Sequence, residues 1–197
     1  MSDGIDRQLE VVTGCMFSGK TEKLIWRLER VMIANRRALL FKPTIDTRYD
    51  ENAAVSHSGR KLEAHLLKPG NETLEALKEL VGEETLNEAD VVAFDEGNFF
   101  SEKLPALCEQ LVTMGKYVIV AGLDLNFAEK PFEPMPALMA LADTVDKLHA
   151  VCVQCGRDAT RTQRIWNGNP VSGDQPEILV GGSDAYEARC RNCYVKP

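Results

Sequence analysis

The feature that most constrains the fold of this chain is the segment Gly14-Cys15-Met16-Phe17-Ser18-Gly19-Lys20-Thr21. It matches the phosphate-loop pattern G-x-x-x-x-G-K-[ST], and it lies between an apolar run at residues 9–12 and a helical stretch at residues 22–36, as that pattern requires. Glycines let the backbone N–H groups of such a loop converge on phosphate oxygens, and the following helix adds the positive end of its dipole. The segment therefore predicts a nucleoside triphosphate site, and the alternative is an ordinary Gly/Ser turn before a helix.

A second set of polar residues follows the apolar run at residues 91–94, which is typical of a strand buried on both faces. We expect Lys20 to lie at the β- and γ-phosphates and the Thr21 hydroxyl to bind Mg²⁺ together with Asp95. We expect Glu96 to accept a proton from the group that attacks the γ-phosphate. Water as the attacker would make the protein an NTPase, and a substrate hydroxyl would make it a kinase. The sequence Asp95-Glu96 is compatible with both reactions. The alternative is that these are two solvated carboxylates at the end of a strand.

Short apolar runs alternate with helical periodicity along the first 150 residues. Strands are predicted at residues 9–13, 37–42, 61–67, 91–94, 117–121 and 147–153. Helices are predicted at residues 22–36, 71–81, 101–114 and 134–142, and a long polar loop at residues 44–59. Because strands alternating with helices build parallel sheets, we predict an α/β fold of the P-loop (RecA-like) type. Its sheet should be mostly parallel, with helices on both faces.

Two C-x₂-C pairs near the end of the chain indicate a metal site, formed by Cys152, Cys155, Cys190 and Cys193. Four thiolates complete the tetrahedral coordination of Zn²⁺ and leave no position for water, so we expect a structural ion. The stretch between the pairs is polar and rich in Gly and Pro, and zinc is expected to hold it in place. Two disulfides or four free thiols are the alternatives. We therefore predict a nucleotide-binding core at residues 1–150 and a small zinc-binding domain at residues 151–197.

Composition and charge limit the partners of the chain. A net charge of −7 and a pI near 5.1 argue against a nucleic-acid groove, which usually carries a basic excess. No apolar run is long enough to span a bilayer, and the N-terminus lacks the layout of a signal peptide. Cysteines that serve as metal ligands and free thiols, together with a phosphate loop, favour the cytoplasm. We therefore expect a cytoplasmic protein without nucleic-acid or membrane partners.

Two other classes of protein deserve comparison. A nucleic-acid-binding ATPase is suggested by the arginines and aromatic residues of the cysteine-bracketed stretch, but the acidic charge opposes it. The alternative role for the cysteine-bracketed stretch is to close over a small ligand. A switch GTPase would need the guanine-reading sequence Asn-Lys-x-Asp, which the chain does not contain.

Several motifs in order resemble the thymidine kinases of the small, zinc-containing type, which bacteria share with the animal cytosolic enzyme. The resemblance runs from residue 9 to residue 194. It rests on the following segments: Met16-Phe17-Ser18-Gly19-Lys20-Thr21, Asp46-Thr47-Arg48-Tyr49, Asp95-Glu96-Gly97-Asn98-Phe99-Phe100, Lys130-Pro131-Phe132, the two cysteine pairs, and the sequence from Gly182 to Tyr194.

The resemblance implies transfer of the γ-phosphate of ATP to the 5′-hydroxyl of deoxythymidine, with Mg²⁺ and structural Zn²⁺. By resemblance the catalytic residues are Glu96 as the base, Lys20 and Arg48. The implied nucleotide-binding residues are Gly14, Cys15, Met16, Phe17, Ser18, Gly19, Lys20, Thr21, Asp95, Glu96, Gly97 and Asn98. The implied nucleoside contacts are Met16, Phe99, Leu123, Phe127, Phe132, Thr162, Leu179, Val180, Gly181 and Tyr186, several of them on a zinc-anchored lasso. Feedback inhibition by dTTP and a homotetramer are expected for the same reason.

Overall fold

The computed structural model describes residues 7–44, 53–55, 61–171 and 185–197. The elements of the core, in chain order, are β1 (Gln8–Gly14), α1 (Lys20–Ile33), β2 (Ala38–Pro43), β3 (Ala53–Val55), β4 (Lys61–Glu63), β5 (His65–Leu67), α2 (Leu74–Val81), α3 (Glu83–Glu88), β6 (Val91–Phe94), α4 (Leu104–Thr113), β7 (Tyr117–Gly122), α5 (Met135–Leu141) and β8 (Thr144–Leu148). The remaining strands are β9 (Ala150–Val151), β10 (Asp158–Ala159), β11 (Arg161–Trp166), β12 (Asn169–Pro170) and β13 (Tyr186–Arg189).

The central sheet has six strands in the order β5-β2-β6-β7-β1-β8, and every neighbouring pair runs parallel. Thr13 at the end of β1 lies opposite Gly122 on one side and Lys147 on the other. Parallel strands end at a common edge, so the segments that follow β1, β6 and β7 emerge side by side. The predicted α/β class and mostly parallel sheet are confirmed.

Helices cover both faces of the sheet, as predicted. Helix α1 packs on one face through Leu24, Ile25 and Leu28, which are fully buried. Helices α2 to α5 pack on the other face. Strand β6 contributes side chains to the core on both faces of the sheet, because alternate residues of a strand point to opposite sides. Val91 faces α1, and its neighbour Val92 faces the other helices. Burial of a leucine side chain contributes about 1.5–3 kcal/mol, so these faces account for much of the stability of the core.

Two of the predicted strands differ from those observed. Residues 61–67 are divided between β4, which pairs antiparallel with β3, and β5, which joins the central sheet beside β2. Strand β3 lies within the stretch predicted as a polar loop. The predicted strand at residues 147–153 is also divided, because β8 starts at Thr144 and ends before His149, and β9 pairs elsewhere.

The helix termini show a second set of differences. Helix α2 starts at Leu74 because the Thr73 hydroxyl accepts a hydrogen bond from Ala76 N (3.1 Å). A short helix that was not predicted, α3, follows Gly82. The predicted start of α4 at residue 101 is wrong, since the helix begins at Leu104 with Lys103 at the cap position, and the Ser101 hydroxyl donates to Glu72.

The residues described after position 149 form regular structure of their own. Strands β9 and β10 pair antiparallel, and β11 pairs with both β12 and β13. The polar residues of β11 are buried because they have partners: the Gln163 amide donates to Val195 O (3.1 Å) and accepts from Val195 N (2.8 Å). The stretch is therefore organised by hydrogen bonds as well as by its cysteines.

Within the described ranges, every helix is too short or too polar to cross a bilayer.

Candidate active site

The loop between β1 and α1 has the backbone conformation of a phosphate cradle. Gly14 and Gly19 have φ of +143° and +83°, values that favour glycine. A Cβ atom on Gly14 would lie 2.4 Å from the carbonyl oxygen of Leu148, so only glycine fits under β8. The Ser18 hydroxyl is buried without a hydrogen-bond partner. An orphaned hydroxyl of this kind fits a site whose partner is a phosphate oxygen.

Lys20 starts α1 and is the cation of this loop. Its ammonium group donates to the carbonyl oxygen of Cys15 (2.9 Å). Burial lowers the pKa of Lys20 from its ordinary value, and the negative charges of Glu96 and Asp95 oppose that shift. The loop therefore brings a lysine and two carboxylates into one electrostatic environment, which is the arrangement predicted for binding phosphates and a cation.

The Thr21 hydroxyl lies against the Asp95 carboxylate, at 3.2 Å from Oδ1 and 3.1 Å from Oδ2. Asp95 follows β6 directly and is buried. A hydroxyl and a carboxylate oxygen at this separation are the hard ligands that Mg²⁺ takes beside a nucleotide. The donor set of Thr21 and Asp95 therefore fits the predicted magnesium site.

Glu96 has a backbone conformation that is unusual for its residue type. Its φ of 51° and ψ of 45° lie in the left-handed region, which costs a residue with a side chain about 1–3 kcal/mol. The backbone N–H of Glu96 donates to Asp95 Oδ1 (3.0 Å), and its carbonyl accepts from Phe99 N (2.9 Å). These contacts hold the turn, and strain of this kind concentrates at functional sites.

Gly97 and Asn98 form the short 3₁₀ turn that follows Glu96. A Cβ on Gly97 would lie 2.7 Å from Val120 Cγ1, so the turn packs tightly on β7. The buried Asn98 accepts a hydrogen bond from Leu123 N (2.8 Å). The segment after β6 is thereby joined to the segment after β7, where three predicted nucleoside contacts lie.

The next part of the site consists of aromatic residues, two of which contact each other and two of which are joined through an arginine. The rings of Phe99 and Phe132 meet edge to face with centroids 6.0 Å apart. The Phe127 ring lies under the guanidinium of Arg164 at 3.9 Å, and the same guanidinium donates to the Tyr186 hydroxyl (2.7 Å from Nη2). The structure thus brings Phe127 and Tyr186 together through Arg164, and it pairs Phe99 with Phe132.

The C-terminal strands also contact the phosphate loop. The backbone N–H of Met16 donates to the Thr162 hydroxyl (3.0 Å), and the Cys15 thiol donates to the carbonyl oxygen of Ala159 (3.3 Å). Burial raises the pKa of the Cys15 thiol, so it stays neutral. Met16 and Thr162, both predicted to contact the nucleoside, are therefore hydrogen-bonded to each other.

The four paired cysteines form one cluster. Their Sγ atoms lie within 4.8 Å of one another, and Cys155 Sγ is 3.6 Å from Cys190 Sγ. Tetrahedral Zn²⁺ with Zn–S bonds of about 2.3 Å holds its sulfurs roughly 3.8 Å apart, so the cluster fits zinc. All four cysteines are free of disulfide bonds. The cluster therefore favours the predicted zinc site over the alternative of two disulfides.

Some predicted residues cannot be placed, and some relevant ones were missed. Arg48, Leu179, Val180 and Gly181 lie outside the described residues. Arg164 was not assigned a role, and neither was Asp124, a buried carboxylate whose Oδ2 lies 2.6 Å from the Lys147 ammonium. Asp124 could have been identified from the sequence as a candidate site residue, because it follows a buried strand as Asp95 does. Nothing in the sequence distinguished Arg164 from the neighbouring arginines.

Comparison with known proteins agrees with this geometry. A family model described as thymidine kinase matches residues 7–194. The thymidine kinase of Coprothermobacter proteolyticus is 50% identical over 185 residues, which cover 94% of this chain and 89% of that protein. The thymidine kinase of Halobacterium salinarum is 46% identical over 187 residues (95% and 93%), and that of Haloquadratum walsbyi is 42% identical over 212 residues (95% and 94%). The chain therefore belongs to the thymidine kinase family.

Proposed function

We propose that this chain transfers the γ-phosphate of ATP to the 5′-hydroxyl of deoxythymidine and so forms dTMP. The observation that carries the proposal is the junction of Thr21, Asp95 and Glu96 at the carboxyl edge of the parallel sheet. A pair of hard ligands and a second carboxylate meet there beside the phosphate loop. Membership of the thymidine kinase family favours a nucleoside hydroxyl over water as the attacking group.

Phosphoryl transfer depends on positioning and on neutralising charge. In the proposed mechanism Lys20 and the backbone N–H groups of the loop hold the β- and γ-phosphates. Thr21 and Asp95 would hold Mg²⁺, which supplies further positive charge at these phosphates when bound. Glu96 accepts the proton of the 5′-hydroxyl as its oxygen attacks phosphorus. Arg48, assigned by resemblance, would neutralise charge on the transferred group.

The nucleoside is proposed to bind where the segments after β6 and β7 meet the C-terminal strands. Phe99, Phe127 and Phe132 are apolar enough to enclose a pyrimidine. Phe99 contacts Phe132, and Phe127 contacts Arg164 on β11. Met16, Leu123, Thr162 and Tyr186 complete the proposed set, with Leu179, Val180 and Gly181 closing over the base. Gly97 and Asn98 are proposed to support the nucleotide site from their turn. Residues 1–150 would form the kinase core and residues 151–197 the zinc-held lasso.

Regulation and assembly are proposed from the same family membership. We expect dTTP to inhibit by competing for the nucleoside site, which steady-state kinetics against deoxythymidine would test.

We expect a homotetramer, so light scattering should give four times the 21.9 kDa mass of one chain. We place the protein in the cytoplasm, which fractionation of the source cells would test.

The decisive experiment is transfer of labelled γ-phosphate to a panel of nucleosides and deoxynucleosides. We expect label in dTMP, with little transfer to purine nucleosides or to water. Nucleoside-independent ADP release would contradict the proposal. Hydrolysis stimulated by nucleic acid would instead support an ATPase that binds nucleic acid.

A further inference from the structure

Arg164 is a buried cation placed between two aromatic side chains. It lies on β11 and is only 2% exposed. Its guanidinium carbon is 3.9 Å from the centroid of Phe127 and 5.3 Å from that of Tyr186. Its Nε and Nη2 atoms also donate to the Tyr186 hydroxyl, at 3.2 and 2.7 Å. One side chain therefore contacts both rings.

These two aromatic residues come from different parts of the chain. Phe127 belongs to the segment after β7, and Tyr186 begins β13, which pairs with β11. The backbone of Phe127 is also held from the C-terminal side, because the Tyr194 hydroxyl donates to its carbonyl oxygen. The contacts of Arg164 thus fix the position of one ring relative to the other across two non-contiguous segments.

The chemistry of arginine suits this task better than that of an apolar residue. Burying a guanidinium costs desolvation energy that a leucine would not incur. In return, its planar face stacks on one ring while its N–H groups bind a hydroxyl at a defined angle. An apolar side chain could fill the same volume, but it could not orient the Tyr186 hydroxyl. The arrangement favours a role in geometry over a role in packing alone.

We propose that Arg164 is a positioning residue for the nucleoside: it holds Phe127 and Tyr186 at the spacing that the pyrimidine requires. This inference rests on the proposed function, because it assumes that both aromatic residues contact the nucleoside. It assigns Arg164 to nucleoside affinity and not to the nucleotide, since its ring contacts and its hydrogen bonds to Tyr186 lie on the aromatic side of the site.

The test is the variant Arg164→Met, which keeps a long side chain and removes the charge, the stacking plane and the donors. We expect KM for deoxythymidine to rise roughly tenfold or more, the range for losing a cation–π contact and a hydrogen bond to a charged group. KM for ATP should stay within about twofold of the unaltered value. In a cycle with Tyr186→Phe, the two changes should be less than additive, because both remove the same hydrogen bonds.

A matched control is Arg161→Met. Arg161 is also buried on β11, but its Nε atom lies against the Glu129 carboxylate. We expect this control to lower the melting temperature about as much as Arg164→Met does, with KM for deoxythymidine little changed. The role of Arg164 would be overturned if a folded Arg164→Met kept the original nucleoside KM, or if both variants raised it equally. If the unaltered chain transferred no phosphate to deoxythymidine, the proposed function itself would fail, and the role of Arg164 with it.

Discussion

At the scale of single residues, the turn after β6 has a strained backbone at Glu96, the proposed catalytic base. Glu96 occupies the left-handed region directly after the buried Asp95, and the tightly packed Gly97 follows. A glycine at position 96 would adopt this conformation at no steric cost. This strain supports the proposed role of the Glu96 carboxylate, because backbone strain concentrates at functional sites.

The first prediction concerns Glu96→Gln. The variant keeps the shape of the side chain and removes its ability to accept a proton, so kcat should fall by about 10²–10⁴-fold while KM for deoxythymidine changes little. Steady-state kinetics with both substrates varied would measure this. Glu102→Gln, an exposed position six residues further along the same segment, is the control and should retain normal kcat. A kcat near the original value in Glu96→Gln would exclude it as the base.

At this scale, the sequence predicted the residues that the structure brings together beside the phosphate loop. Lys20, Thr21, Asp95 and Glu96 follow from local patterns, since each is tied to a loop or to the end of an apolar run. Arg164 does not, because its role comes from contacts with residues 37 positions before and 22 positions after it. No local pattern encodes such contacts.

At the scale of elements, Glu72 connects the start of α2 to the segment that precedes α4. Its buried carboxylate accepts hydrogen bonds from Gly70 N (3.0 Å) and Ser101 N (2.8 Å), and also from the Ser101 hydroxyl. Burial alone would raise the pKa of Glu72, but these hydrogen bonds outweigh it and hold the pKa below its ordinary value of 4.5. The ionised form therefore stabilises the folded state.

The second prediction follows from the sign of that shift. The pKa is lower in the folded than in the unfolded chain, so the stabilisation is complete above pH 4.5 and is lost as pH falls through the folded value. Glu72→Gln should lower the free energy of unfolding by about 1–3 kcal/mol at pH 7. The difference between the two proteins should shrink as the pH falls below 4.5.

Urea unfolding of both proteins from pH 7 down to pH 3 would check this second prediction. Glu79→Gln, exposed on α2, is the control and should differ from the unaltered protein by less than about 0.5 kcal/mol. A difference for Glu72→Gln that stays constant with pH would show that folding does not lower the pKa of this carboxyl group.

The elements themselves were predicted unevenly. Strands β6 and β7 are continuous apolar runs and β1 is nearly so, and their short length and the turn residues that follow them identify them as strands. The pairing of β3 with β4 and the sheet formed by β11, β12 and β13 were not predicted. Their strands are short or polar, and their stability comes from partners distant in sequence, as in the exchange between Gln163 and Val195.

At the scale of the whole molecule, the cysteine cluster lies at the base of strands that reach the phosphate loop. Strand β10 follows the first cysteine pair and carries Ala159, and β11 carries Thr162. Both residues accept hydrogen bonds from that loop, at 3.3 and 3.0 Å. Loss of zinc should therefore weaken binding at both the nucleotide site and the nucleoside site.

The third prediction is that Cys155→Ser loses zinc and binds deoxythymidine about tenfold or more weakly, a loss of ~1.4 kcal/mol. ATP affinity should fall by a smaller factor, because the lost contacts support the loop and do not touch the phosphates. Metal analysis and titration calorimetry with each ligand would measure these changes. Gln154→Ala, exposed between the two cysteines of the first pair, should keep zinc and both affinities. Unchanged deoxythymidine affinity in zinc-free protein would contradict the prediction.

The hydrogen bond between Met16 and Thr162 has a consequence for inhibitor design. It joins residues 146 positions apart, so the phosphate loop has a neighbouring hydroxyl, from β11, that the phosphate-loop pattern itself does not specify. A compound that competes with ATP and also engages this threonine would use a chemical feature peripheral to the shared motif. Such a compound could discriminate between this kinase and unrelated ATP-using enzymes of the same host.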